Sequence, residues 1–86
     1  MELTREEIQQ KLMRIFEKNF EIENPKPDDD LRSEYEFDSI DAIELLVEIE
    51  KMLGFPLEQE EKKQAMGVRT INDICDYIES VKAARD

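Results

Sequence analysis

Apolar residues recur along this chain at helical spacing, and the breaks between runs fall at residues that start or stop helices. Ile8, Leu12, Ile15 and Phe16 form the first run. Thr4-Arg5-Glu6-Glu7 ahead of it is a capping box, and Leu3 and Ile8 are placed as a hydrophobic staple, so a helix is predicted from here to near Asn19. Its other face, with Arg5, Glu6, Lys11, Arg14, Glu17 and Lys18, reads as solvated charge. From Phe20 to Phe37 no period is sustained. Pro25, Pro27 and Asp28-Asp29-Asp30 predict a long loop without an element of its own, which Phe20, Ile22, Leu31, Tyr35 and Phe37 can pin. After the central run described next, Phe55-Pro56-Leu57 is extended and Glu58 to Ala65 forms a short helix stopped by Gly67. Thr70-Ile71-Asn72-Asp73 then caps a last helix in which Ile71, Ile74, Cys75, Ile78 and Val81 share a face, fraying from Lys82 to Asp86.

The central helix is the most informative stretch. It runs from Asp38-Ser39-Ile40-Asp41 to Leu53, with Gly54 as its stop; Asp38 and Ser39 are both good N-cap types, and Asp41 places a carboxylate in the first turn. At about 100° per residue, Asp41, Glu44, Glu48 and Lys51 fall in one stripe about 80° wide. Nearly everything else is apolar. Ala42, Leu45, Leu46, Ile49, Met52 and Leu53 make one arc and Ile40, Ile43 and Val47 a second, with Glu50 between them. A single core uses one such arc, so the second is expected to face a partner. A serine among the free N–H groups of a helix start also offers a favourable place for a phosphate ester.

The pattern as a whole predicts an all-α, four-helix bundle with three longer helices, one short helix and a long loop between the first and second. Its 86 residues are expected to make one domain over residues 1–86. Charge sharpens this reading, because the net charge of −11 is localised. Residues 28 to 61 hold thirteen acids against Arg32 and Lys51, which equals the imbalance of the whole chain. The acids thus belong to the central helix and its flanks, a pattern that suits basic protein partners and disfavours nucleic acid. A calcium loop starting at Asp28 fails, with Ser33 where glycine is needed and Ser39 where glutamate is needed. The triple aspartate therefore reads as solvated, and no metal site is expected.

With one cysteine and no histidine, the chain has no disulfide framework, zinc pattern or Ser-His-Asp triad, so an enzyme is not expected. Cys75 reads as a packed small hydrophobe and Met52 and Met66 as core filler. No apolar run is long enough to span a membrane and Met1-Glu2-Leu3-Thr4 is no signal peptide, so a cytoplasmic monomer is expected.

The tetrad Asp38-Ser39-Ile40-Asp41 resembles the attachment motif of acyl carrier proteins, Asp-Ser-Leu at the head of the second helix. The likeness continues through Ser39-Ile40-Asp41-Ala42-Ile43-Glu44-Leu45-Leu46, through Leu31 eight residues before Ser39, and through Ile74-Cys75-Asp76-Tyr77-Ile78 in the closing helix. The resemblance implies a covalent 4′-phosphopantetheine arm on Ser39, with Asp38 as motif neighbour, carrying acyl groups as thioesters for fatty acid, polyketide or related biosynthesis. It implies as partners a phosphopantetheinyl transferase and acyl-activating, acyltransferase or synthase enzymes with basic docking surfaces. Docking falls on Asp38, Ile40, Asp41, Ile43, Glu44, Val47 and Glu50, to which the acidic stripe adds Glu48. Ile49 and Leu57 match positions facing the family's acyl cavity, and ordinary core is an equal reading for both. Glu36 stands where the family usually has glycine, Tyr35 and Ile40 replace leucines, and Lys62 to Arg69 is longer than usual. These departures point to a specialised carrier. Two alternatives stay open at this level: an aminoacyl or peptidyl carrier, including the D-alanyl kind, and an unmodified acidic helical adaptor.

Overall fold

The computed structural model describes residues 4–85. It contains five helices, α1 (Arg5–Phe20), α2 (Leu31–Tyr35), α3 (Ser39–Leu53), α4 (Gln59–Ala65) and α5 (Ile71–Arg85), and no strand among the described residues. The all-α bundle with three long helices and a short one is as the periodicity predicts. Thr4 starts α1 through the capping box, its hydroxyl accepting from the Glu7 N–H at 3.2 Å while the Glu7 carboxylate accepts from the Thr4 N–H at 3.4 Å. Thr70 starts α5 in the same way with Asp73. Leu3 of the expected staple lies outside the described residues.

The core forms where the apolar faces meet. Ile8, Leu12 and Phe16 of α1 pack with Ala42, Leu45, Leu46 and Ile49 of α3 and with Ile71, Ile74, Cys75, Ile78 and Val81 of α5. Ala65 closes it from α4 and Leu31 from α2, and Ile22, Phe37 and Leu57 close it from the connections. Burial pushes the Cys75 thiol above its usual range, so it stays protonated as a packing group. Tyr77 is buried too, its hydroxyl donating to the Glu61 carbonyl at 2.7 Å, and burial pushes its pKa up to about 12.

Four local expectations are corrected by the structure. The stretch from Phe20 to Phe37 does contain an element, α2, capped by Asp30, whose carboxylate accepts from the N–H groups of Arg32 and Ser33. Five residues are too few to show a period, which is why the pattern reads as loop. The triple aspartate is engaged rather than simply solvated: Asp28 accepts from the Asn72 amide at 2.6 Å and Asp29 from the Tyr35 hydroxyl at 2.9 Å. Arg5 is not idle surface charge, since its guanidinium bridges to Asp76 at 2.6 Å and Glu79 at 2.7 Å on α5. Last, α4 closes through Met66 in a right-handed turn rather than a left-handed glycine.

The long connection is held to the body of the bundle at several points. The Leu31 N–H donates to the Arg69 carbonyl at 2.7 Å, the Asn72 N–H to the Pro27 carbonyl at 3.1 Å, and the Arg32 guanidinium to the Met66 carbonyl at 2.7 Å. Phe37, at its end, meets Phe16 tilted and Phe20 edge-on, with the three ring centroids 5.4–5.5 Å apart. Between these anchors, Glu36 closes α2 with φ of 56°, the left-handed conformation that favours glycine. A turn suited to glycine is thus made with a side chain that strains it. Glu36 is exposed. Glu36→Gly is therefore expected to stabilise the fold by about 0.5–1 kcal/mol, as relief of the left-handed strain exceeds the added chain entropy. Urea unfolding measures this, and an unchanged or lower midpoint would show that the turn is not strained.

Candidate functional site

Asp38 and Ser39 compete on paper for the cap of α3, and the structure divides the roles between them. Asp38 is the cap: its carboxylate accepts from the Asp41 N–H at 3.0 Å, and Asp41 returns the contact by accepting from the Asp38 N–H at 3.3 Å. Ser39 is the first helical residue, exposed, with its hydroxyl relieved of the capping role. It stands among the unpaired N–H groups of a helix start, two residues beyond the buried Phe37. An oxygen so placed can take a phosphate ester, because the ester would project into solvent beside the positive end of α3. The residues present therefore fit a phosphopantetheine group.

From Ser39 onward α3 separates its two apolar arcs as the pattern predicts. Ala42, Leu45, Leu46 and Ile49 are buried and Met52 and Leu53 half-buried, while Ile40, Ile43 and Val47 remain 70%, 56% and 47% exposed. Three large aliphatic side chains in solvent on one helix face make a contiguous patch of the kind that marks interaction surfaces. Ile49 and Leu57 are both buried in the core cluster.

The acidic positions do not behave alike. Asp38 and Glu44 are exposed and Asp41 is half-exposed beside them. Glu48 lies 3.4 Å from Lys51, and Glu50 accepts from the Leu57 N–H at 2.7 Å, clamping the turn that follows α3. Of the predicted docking acids, then, Asp38, Asp41 and Glu44 gather at the head of the helix near Ser39, whereas Glu50 also has a structural task. That task joins residues on either side of Gly54 and has no signature in local pattern.

Sequence reasoning also missed what α4 brings to this face. An open groove of about 310 Å³ runs between α3 and α4, lined by Ile43, Leu46, Val47 and Glu50 on one side and Gln59, Lys62, Lys63 and Met66 on the other. Met66, read as core filler, packs half-buried against the core and also lines the groove wall. On the opposite side of the acidic stripe, Lys18 and Asn19 share an open depression of about 500 Å³ with Glu44, Val47 and Glu48. Among the described residues, no three His, Cys, Asp or Glu side chains converge as metal ligands, and no helix is long and apolar enough to cross a membrane.

The division of labour at the helix head has a measurable consequence. Asp38→Ala is expected to cost about 1 kcal/mol of stability through loss of the cap. Ser39→Ala is expected to stay within about 0.5 kcal/mol. Urea unfolding of the two variants distinguishes them, and equal losses would place the cap at Ser39 as well.

Comparison with known proteins bears on the same residues. The family model for the phosphopantetheine attachment site matches residues 10–78, a span that contains Ser39 and the whole of α3. Acyl carrier protein 2 of Ralstonia nicotianae is 34% identical over 84 residues, covering 95% of this chain and 100% of that protein. The acyl carrier proteins of Coprothermobacter proteolyticus and Rubrobacter xylanophilus are each 30% identical, over 80 and 78 residues, and cover 91% and 88% of the chain. With a helical fold that agrees, this chain belongs to the acyl carrier protein family, whose members are carriers built around a phosphopantetheine attachment site and not enzymes.

Proposed function

We propose that Ser39 is the attachment point of a 4′-phosphopantetheine arm and that the chain carries acyl groups on it, as thioesters, between the enzymes of fatty acid, polyketide or related biosynthesis. The observation that carries this reading is the exposed Ser39 hydroxyl at the first position of α3, with the cap supplied by Asp38. Attachment is a transfer from coenzyme A on a separate phosphopantetheinyl transferase. The Ser39 oxygen bonds to the phosphorus bearing the pantetheine, the pyrophosphate bond breaks, adenosine 3′,5′-bisphosphate leaves, and the transferase takes the hydroxyl proton. Once attached, the group supplies a terminal thiol on a long flexible tether. The chain itself orients that tether and presents a surface to each enzyme in turn.

That surface is the second arc of α3. Ile40, Ile43 and Val47 provide apolar contact, and Asp38, Asp41 and Glu44, with Glu48 and Glu50 further along, provide the negative field that draws enzymes with basic docking patches. The adaptor alternative would use the same surface with Ser39 unmodified.

Incubation with coenzyme A and a broad-specificity phosphopantetheinyl transferase, followed by intact-mass measurement, tests the reading. The chain is expected to gain one phosphopantetheine group and Ser39→Ala none. Glu44→Lys is expected to be loaded several-fold more slowly at low salt, with the deficit shrinking as salt rises. No gain on the unmodified chain would favour the adaptor, and a gain on Ser39→Ala would move the attachment elsewhere.

A further inference from the structure

The two sides of the α3–α4 groove present charges of opposite sign, Glu50 from α3 and Lys62 and Lys63 from the last turn of α4, whose Glu60 and Glu61 lie in its first turn and outside the groove lining. Ile43, Leu46, Val47 and Met66 supply apolar walls, while α4 contributes Lys62 and Lys63, both exposed. The other bases of this region are engaged: Lys51 lies 3.4 Å from Glu48, Arg69 3.5 Å from Asp30, and Arg32 donates to the Met66 carbonyl. Lys62 and Lys63 have no ion-pair partner among the described residues. Glu50 shares the groove with them, but its carboxylate is held by the Leu57 N–H. The aliphatic stems of the lysines can extend the apolar wall while their ammonium groups stay in water. The result is an apolar seam at Ile43 and Val47 with Asp41 and Glu44 on α3 and free cations across the groove on α4.

We infer that this face selects a partner whose contact helix has three matching parts: bases toward Asp41 and Glu44, an apolar seam over Ile43 and Val47, and acids toward Lys62 and Lys63. The inference rests on the docking role proposed above for α3 and adds its other half. An acidic helix alone would accept any partner with a basic patch. Two unpaired lysines across the groove raise the cost for a partner that is basic throughout, because its charges would face like charges at close range. Lys62 and Lys63 thereby sort among basic partners, which Asp41 and Glu44 cannot do.

Two synthetic amphipathic helical peptides test this. Both carry the same basic flank and apolar seam; one has glutamates on the opposite flank and the other glutamines. Fluorescence anisotropy is expected to show the glutamate peptide binding roughly five-fold more tightly at low salt, the scale of two exposed ion pairs, with the preference shrinking at high salt. Lys62→Glu/Lys63→Glu should reverse the preference. Because both lysines also sit in the last turn of α4, where positive charge favours the helix, Lys62→Gln/Lys63→Gln serves as the milder variant and should abolish it. Equal affinity of the unmodified chain for both peptides, no binding of either, or a preference that survives both variants would overturn the inference. Loading by coenzyme A and transferase on the same samples separates the failures: normal loading with no peptide preference sinks this inference alone, whereas absent loading sinks the carrier reading beneath it.

Discussion

A helix packed on one side of a small core can bury one apolar face, and α3 has two. That mismatch organises the molecule. Ala42, Leu45, Leu46 and Ile49 join the core cluster to which α1 and α5 also contribute, so Ile40, Ile43 and Val47 are left in water. Burying an aliphatic side chain of this size is worth roughly 1.5–3 kcal/mol, a gain that folding does not collect in full from these three residues and that association can. Carboxylates at Asp38, Asp41 and Glu44 border the uncovered arc, keeping it soluble and giving approach a direction. The same surplus that weakens the isolated chain is what the proposed docking would cover.

The placement of Ser39 depends on contacts made well away from it. Phe37 is fixed among Phe16 and Phe20 of α1, and its N–H donates to the Leu31 carbonyl at 3.1 Å, so the chain enters α3 from a set direction. Asp38 follows and closes the capping box with Asp41, which frees the next side chain, Ser39. Upstream, the long connection is held to the segment before and within α5 by Pro27, Asp28, Leu31 and Arg32, and Glu36 takes a strained left-handed turn to complete it. A rigid base under a solvent-exposed residue suits the attachment role proposed for Ser39.

Much of this was legible in the residues because helices advertise themselves locally. The Thr4 and Thr70 caps, the split of α3 into a buried and an exposed arc, and the tetrad at Asp38 follow from spacing and residue type, and the structure has each of them. What stayed hidden was short or distant. α2 is too brief to show a period, though Asp30 before it is a fair cap type. Arg5 reaches Asp76 and Glu79 more than seventy positions away, and Glu50 reaches back over a turn to Leu57; no local pattern encodes such pairs. Lys62 and Lys63 look like ordinary helix charge until α4 is laid beside α3. The assignment of a prosthetic group to Ser39 came from resemblance to a family, since a serine at a helix start is by itself only a good place for a phosphate.

The claim beneath all of this is that the Ile40, Ile43 and Val47 face of α3 is surplus to folding. Urea unfolding of the triple variant Ile40→Gln/Ile43→Gln/Val47→Gln tests it most directly. If the face serves association alone, stability should stay within about 1 kcal/mol of the unmodified chain, because glutamine is an equal or better helix former at exposed positions. A loss of several kcal/mol, the scale of disrupting a packed core, would contradict it.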